Sequence, residues 1–257
     1  MSIDLDLSIV LLLFLFGFLA AFIDSVVGGG GLIALPALLF TGLSPSAAVA
    51  TNKLAGSMGS LTSTITFYKS GKMDLKPIAK LFPIVFVASM VGAWIVHLMD
   101  PTLLKPLMLI MLALVAVYTI FKKDWGNLST YKKLTKKKSL GFLLLVSAIG
   151  FYDGFLGPGT GSFLIFSFLL VGFDFLKAAG NAKFLNFASN IGALVMFLML
   201  GQINFLYGFI MGVAQIIGAV VGSKFAIKRG TNYVRLLFIV VTIALLAKNT
   251  YDYFINM

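Results

Sequence analysis

Apolar runs of about twenty residues follow one another along almost the whole chain, separated by short polar or glycine-rich breaks. A helix of that length crosses about 30 Å of hydrocarbon. With no water in the bilayer core, its backbone groups must pair within the segment, which a helix does. The pattern therefore predicts an all-α, polytopic transmembrane bundle. Composition agrees. Hydrophobic residues make up 60% of the chain and charged residues 11%, whereas a soluble domain carries about a quarter charged. The formal charge of +11 would ordinarily suggest nucleic acid. Here the basic residues sit in short loops between apolar runs and read as topology signals, so nucleic acid is excluded as a partner. The chain has no cysteine, one histidine (His97) and no glutamate, which leaves no material for disulfides, thiolate metal sites or histidine clusters. No metal or cofactor is expected. The acidic start Met1–Ser8 lacks the positive region of a cleaved signal, so the first run is expected to be a retained helix.

Helices are predicted near 7–27, 32–41, 46–68, 77–98 and 103–121, and again near 139–156, 161–172, 175–200, 204–225 and 232–251. Gly28-Gly29-Gly30-Gly31 breaks the first pair, because consecutive glycines hold a helix poorly. Gly157-Pro158-Gly159-Thr160-Gly161 breaks the corresponding pair in the second half. The stretch Lys122–Lys138, with seven lysines and one aspartate, reads as a linker. Residues 1–121 then form a first repeat and 139–257 a second. The second and seventh segments are too short to cross alone. Either they meet the glycine breaks inside the membrane, or the flanking helix bends to match.

The halves match at a set of spaced positions, against a weak overall identity. Asp24, Gly28 and Gly30 match Asp153, Gly157 and Gly159 at one offset. Gly42, Lys53, Gly71 and Asp74 match Gly172, Lys183, Gly201 and Asn204 at an offset one residue longer. The lysine-rich loops 69–76, 122–138 and 224–235 should be cytoplasmic, and the uncharged loop 201–204 outside. Loop 201–204 is the repeat equivalent of loop 69–76, so the repeats are expected to have inverted orientation, with both termini outside. The expected location is a prokaryotic inner membrane.

Ionisable side chains inside spans are costly and mark pathways or ion pairs. Lys53, Ser57, Ser60 and Thr64 share one face of the third segment, and Lys183, Asn186 and Asn190 one face of the eighth. The competing reading of the lysines is snorkelling, since each lies two turns from its segment start. A helix beginning after a glycine break offers free N–H groups and a positive dipole end to an anion. Close helix packing is the other use of such tracts. The expected anion site comprises Lys53 and Lys183 with Gly29, Gly30 and Gly159. Thr51, Asn52 and Asn181 beside the lysines, and Ser57, Asn186 and Asn190 on the stripes, complete it. Each lysine is expected to be positioned by the Asp–Gly break of its own half. Asp24 and Asp153 would compensate the lysines or carry protons; the alternative is a helix-end bond to the glycine amides. Gln202 and Gln215 are further polar candidates, and His97 reads as interfacial, near Asp100.

These residues resemble the TauE/SafE family of sulfite exporters, also called the four-toluene-sulfonate uptake family. The resemblance lies in Gly28–Gly31 followed by Pro36, in Gly42-Leu43-Ser44-Pro45 leading into Ala47-Ala48-Val49-Ala50-Thr51-Asn52, and in the second-half echo Gly157–Gly161 with Ala178-Ala179-Gly180-Asn181. Where that family places Ala-Thr in the second repeat, this chain has Gly180-Asn181. The resemblance covers nearly the whole chain and implies transport of small organic or inorganic sulfur anions. The expected function is a permease moving such an anion by alternating access between the repeats. A passive anion channel is the alternative, and an intramembrane enzyme a more distant one. No Walker P-loop is present, so ATP hydrolysis by this chain is not expected. The expected partners are a small anion and the lipid bilayer, and a homodimer is compatible with the sequence.

Overall fold

A computed structural model of the protein describes residues 6–100, 131 and 135–229. These residues are helical, joined by short turns. Helix α1 is Leu7–Val27, α2 Gly31–Phe40 and α3 Pro45–Lys69. Helix α4 is Leu75–Leu98, with a 3-10 turn at Ala79–Leu81. After the linker come α5 (Lys136–Phe155), α6 (Thr160–Leu170) and α7 (Phe175–Met199). Helix α8 is Phe205–Arg229. The expected segments 103–121 and 232–251, and most of the linker, lie outside the described residues.

Local chemistry sets the boundaries. Asp6 caps α1 by accepting from the Ser8 hydroxyl and N–H, which hold its carboxyl below the ordinary value. Ser44 caps α3, with Pro45 in the first turn where no N–H is needed. Asp174 occupies the corresponding place before α7 and accepts from Lys177 N–H at 2.9 Å. Pro83 has no N–H to offer the turn before it, which is where α4 tightens into its 3-10 segment. The linker ends earlier than expected. Lys136, Lys137 and Lys138 are already helical, started by Thr135, whose hydroxyl accepts from Lys138 N–H. Lysine is a good helix former whose stem can lie along apolar surface.

Among the described residues, five helices (α1, α4, α5, α7 and α8) are each long and apolar enough to cross a membrane. Helix α3 is as long as α7, at 25 residues, but carries the polar face read from sequence. Helices α2 and α6 have 10 and 11 residues and do not continue the helices before them. Each folds back. Gly30 lies against the Ala20 carbonyl, about two turns before the break, and α2 packs along α1. Tyr152 meets Phe163 and Phe142 meets Phe168, so α5 and α6 form an antiparallel hairpin. Of the two alternatives for these short segments, half-helices meeting the glycine breaks or a bent flanking helix, this folding back fits the half-helices.

The long helices α3 and α7 lie together at the centre and run antiparallel: Gly56 meets Asn190 while Phe67 meets Gly180. Around them, glycines let helices approach closely. Gly92 of α4 packs on the Phe151 carbonyl of α5, and Gly222 of α8 on the Phe22 carbonyl of α1. These two contacts are each other's counterparts under the sequence correspondence of the halves.

Candidate functional site

The two glycine breaks meet. Gly28 sits against the backbone of Gly161 and Ser162, Gly31 against Pro158, and the Ser162 hydroxyl donates to the Val27 carbonyl at 3.2 Å. A Cβ on Gly161 would lie 2.9 Å from Gly28 Cα and 3.0 Å from Asp24 Oδ1. Only glycine permits this approach, and Gly28, Gly29, Gly157 and Gly159 also take positive φ values of 81°, 89°, 92° and 81°. The N-terminal turns of α2 and α6 are thereby brought to one place.

Both intramembrane lysines arrive there. Lys53 and Lys183 are 1% and 0% exposed, so neither reaches the protein surface as a snorkelling side chain would. Each is ion-paired, and the pairs cross between the halves. Lys53 Nζ lies 3.0 Å from Asp153 Oδ1, and Lys183 Nζ 2.7 Å from Asp24 Oδ2. This corrects the expectation that each lysine is set by the break of its own half. The physical reason is the meeting of the breaks: the Asp of one hairpin lies closer to the lysine of the opposite long helix. Under the sequence correspondence of the halves, exchange of one half for the other turns one pair into the other.

A cavity of about 40 Å³ lies at this junction. One water needs roughly 10–15 Å³ by such a measure, so the space suits a few waters or an ion of a few heavy atoms. Its wall includes Asp24, Lys53 and Asp153; Gly29, Gly30, Gly31, Gly157, Gly159, Thr160 and Gly161 of the breaks; and Asn52, Ser60, Asn186, Asn190 and Gln215. Lys183 stands just behind Asp24. Of the expected residues, Lys53, Gly29, Gly30, Gly159, Asn52, Asn186, Asn190, Asp24 and Asp153 are therefore brought together, and Gln215 with them.

Three others are placed elsewhere. Ser57 returns its hydroxyl to the Lys53 carbonyl at 2.7 Å within α3. Thr51 Oγ1 accepts from Asn204 N–H at 3.0 Å, and Asn181 Oδ1 accepts from Asp74 N–H at 2.9 Å. Thr51 and Asn181 thus tether the starts of α8 and α4, one in each half. The substitution of asparagine for threonine preserves the contact, since both side chains offer an oxygen acceptor. His97 Nδ1 and Gln202 Nε2 pair at 2.6 Å at an exposed position, which keeps Gln202 from the cavity.

Sequence reasoning missed Gly56 and Gly59, which also line the cavity. A Cβ on either would meet Asn190 Oδ1 or Gln215 Oε1 at 2.9 Å. These glycines clear space on α3 for two amides. Their signal was present, because a glycine costs a helix interior about 1 kcal/mol and needs a reason.

The fold and this buried polar centre define a multi-pass helical membrane protein whose two hairpins meet at paired charges. The chain belongs to the sulfite exporter TauE/SafE family, whose model matches residues 13–249. It is 39% identical over 243 residues to "Probable membrane transporter protein ORF9" of Sinorhizobium sp, covering 93% of this chain and 92% of that protein. It is 36% identical to a "Probable membrane transporter protein" of Haemophilus influenzae, covering 97% of each. It is 37% identical to "Probable membrane transporter protein YfcA" of Escherichia coli K12, covering 93% and 89%. No solved structure matches.

Proposed function

We propose that the chain is a membrane transporter that moves a small anion, a sulfur oxyanion or small organosulfonate, by alternating access at the cavity between its halves. The carrying observation is the junction itself: two fully buried lysines, contributed by corresponding helices of the two halves, beside the N-terminal turns of α2 and α6. An anion there gains from ammonium charge and from helix dipoles together. The amides of Asn186 and Gln215 offer further hydrogen-bond donors, while Asn190 Nδ2 donates to the carbonyl and side-chain oxygens of Asn186 at 2.8 and 3.0 Å. The family name and the names of the relatives point to the same class.

The antiparallel packing of α3 and α7, which correspond in sequence, supports inverted repeats. So do the crossed ion pairs. Such repeats rock against one another around a fixed site. In the empty site Asp24 and Asp153 compensate the lysines, and an arriving anion takes over part of that role.

The test is anion titration of purified Lys53→Met and Lys183→Met variants, which keep the apolar stem. Loss of one charge-assisted hydrogen bond is worth about 1.5–3 kcal/mol, or roughly tenfold to 150-fold in Kd. Unchanged affinity for sulfite and methanesulfonate in both variants refutes the reading. An effect in one variant alone places the anion on one half.

A further inference from the structure

The two aspartates occupy matching positions but not matching environments. Both oxygens of Asp24 are engaged: Oδ2 accepts from Lys183 Nζ at 2.7 Å and Oδ1 from Gly30 N–H at 3.3 Å. Asp153 uses only one. Its Oδ1 faces Lys53 Nζ at 3.0 Å, while Oδ2 is buried without a hydrogen-bond partner among the described residues. The Asp153 side chain is 3% exposed, against 22% for Asp24. A carboxylate oxygen left dry and unpaired is costly, and binding a proton there relieves the cost. Asp24 has a donor on each carboxylate oxygen and so no orphaned acceptor.

Charge balance supplies the second argument. With all four groups ionised, the two lysines and two aspartates sum to zero. A monovalent anion added to that set brings an uncompensated charge into a dry site. One proton on an aspartate restores neutrality. It also frees Lys53 Nζ for the anion and turns Asp153 Oδ2 from an acceptor into an O–H donor.

The remaining ionisable groups on the packed elements do not compete. Tyr152, next to Asp153 on α5, commits its hydroxyl to the Pro158 carbonyl at 2.7 Å. On α4, Lys76 and Lys80 are exposed near the helix start, and His97 pairs with Gln202. Helix α6 carries no ionisable side chain. On α7, Lys177 faces Asp74 at 3.7 Å and Lys183 holds Asp24. Across the cavity stand Asp24 of α1 and Lys53 of α3.

We infer that Asp153 is the proton-accepting group of the cavity, taking one proton from the aqueous phase on Oδ2 with each monovalent anion bound, while Asp24 stays ionised. This rests on the anion-site reading above. The loaded site holds one more proton than the empty site. One proton taken up with each anion makes affinity rise as pH falls.

The experiment is calorimetric titration of the full chain in detergent with sulfite and with methanesulfonate, whose charge is fixed across the neutral range. Buffers of different ionisation heat count the protons taken up, with sulfite corrected for its own equilibrium. The expected count with methanesulfonate is one for the parent and zero for Asp153→Asn, whose affinity no longer depends on pH. The charge-neutral double variant Asp24→Asn/Lys183→Met removes the other ion pair whole and should still take up one proton, with weaker binding. Should Asp153→Asn not fold, infrared difference spectra of the parent and the double variant replace it. Both should gain a protonated-carboxyl band when anion is added. A proton still taken up by Asp153→Asn, or a band lost in the double variant, overturns the assignment. Anion binding by the parent without proton uptake overturns this inference alone, and no binding of either anion overturns the anion-site reading as well.

Discussion

Replacing Asp24 by Asn leaves the Lys183 ammonium, 0% exposed, with no carboxylate partner. Stranding a buried charge in this way costs about 3–5 kcal/mol. The reverse change, Lys183→Met, is milder. Asp24 keeps the Gly30 N–H at 3.3 Å and is 22% exposed, so about 1–3 kcal/mol is expected. The double variant carries neither charge and, with volume nearly preserved, should approach the parent. With the double variant near the parent, the interaction term of this cycle is the sum of the two single costs, about 4–8 kcal/mol in favour of the pair. The assay is equilibrium unfolding in mixed micelles, with the cycle repeated for Lys53 and Asp153. The comparison that decides is Lys183 with Asp153, two residues of the same half. They share the cavity region but no ion pair, so their coupling should be at least about 1 kcal/mol smaller. A same-half coupling equal to or larger than the cross-half one would refute the crossed pairing and the meeting of the breaks on which the site depends.

Two further outcomes follow from the same geometry. Gly56→Ala puts a methyl 2.9 Å from Asn190 Oδ1; titration should show sulfite affinity falling while detergent stability changes by no more than about 1–2 kcal/mol. The chain has no native cysteine, so single cysteines at Gln202 and at Lys132 can be labelled with an impermeant reagent, and inverted repeats require labelling from opposite sides.

Much of the fold was legible because lipid imposes one simple rule on the backbone. Helix α1 begins and ends where the apolar run does, and the glycine tracts mark the two hairpin turns. The paired lysines were legible for the same reason, since a charge within an apolar run needs an explanation. Their partners were not. Asp24 precedes its own break in the sequence, and nothing in that spacing says the break will lie against its counterpart. Contact between the halves depends on how α3 and α7 pack, which is a long-range property. Thr51 and Asn181 show a different limit. They lie beside the lysines in sequence, yet helical geometry turns neighbouring residues to different faces, and these two face the ends of α8 and α4. Gly56 and Gly59 were passed over because a missing side chain looks like packing until the amide opposite is seen.

Electrical behaviour separates the proposed carrier from the passive channel compatible with the sequence. A channel lets an anion cross alone, so the flux carries charge and follows the membrane potential. In the proposed carrier, two forms of the site are neutral: the empty site with both ion pairs formed, and the site loaded with a monovalent anion and one proton. The forms bearing anion alone or proton alone hold a net charge in low dielectric, where solvation is lost, and are disfavoured while the halves move. Coupling then follows from the charge of the site without any added device. The measurement is methanesulfonate flux into proteoliposomes clamped at different potentials with potassium and valinomycin. The expected rate is insensitive to potential and rises when the side from which the anion enters is made acidic. A channel moving one elementary charge would instead shift its driving force by about 2.3 kcal/mol per 100 mV, close to fifty-fold in the equilibrium distribution. An anion distribution that tracks the potential on that scale, with no accompanying proton movement, would refute the carrier and leave the channel.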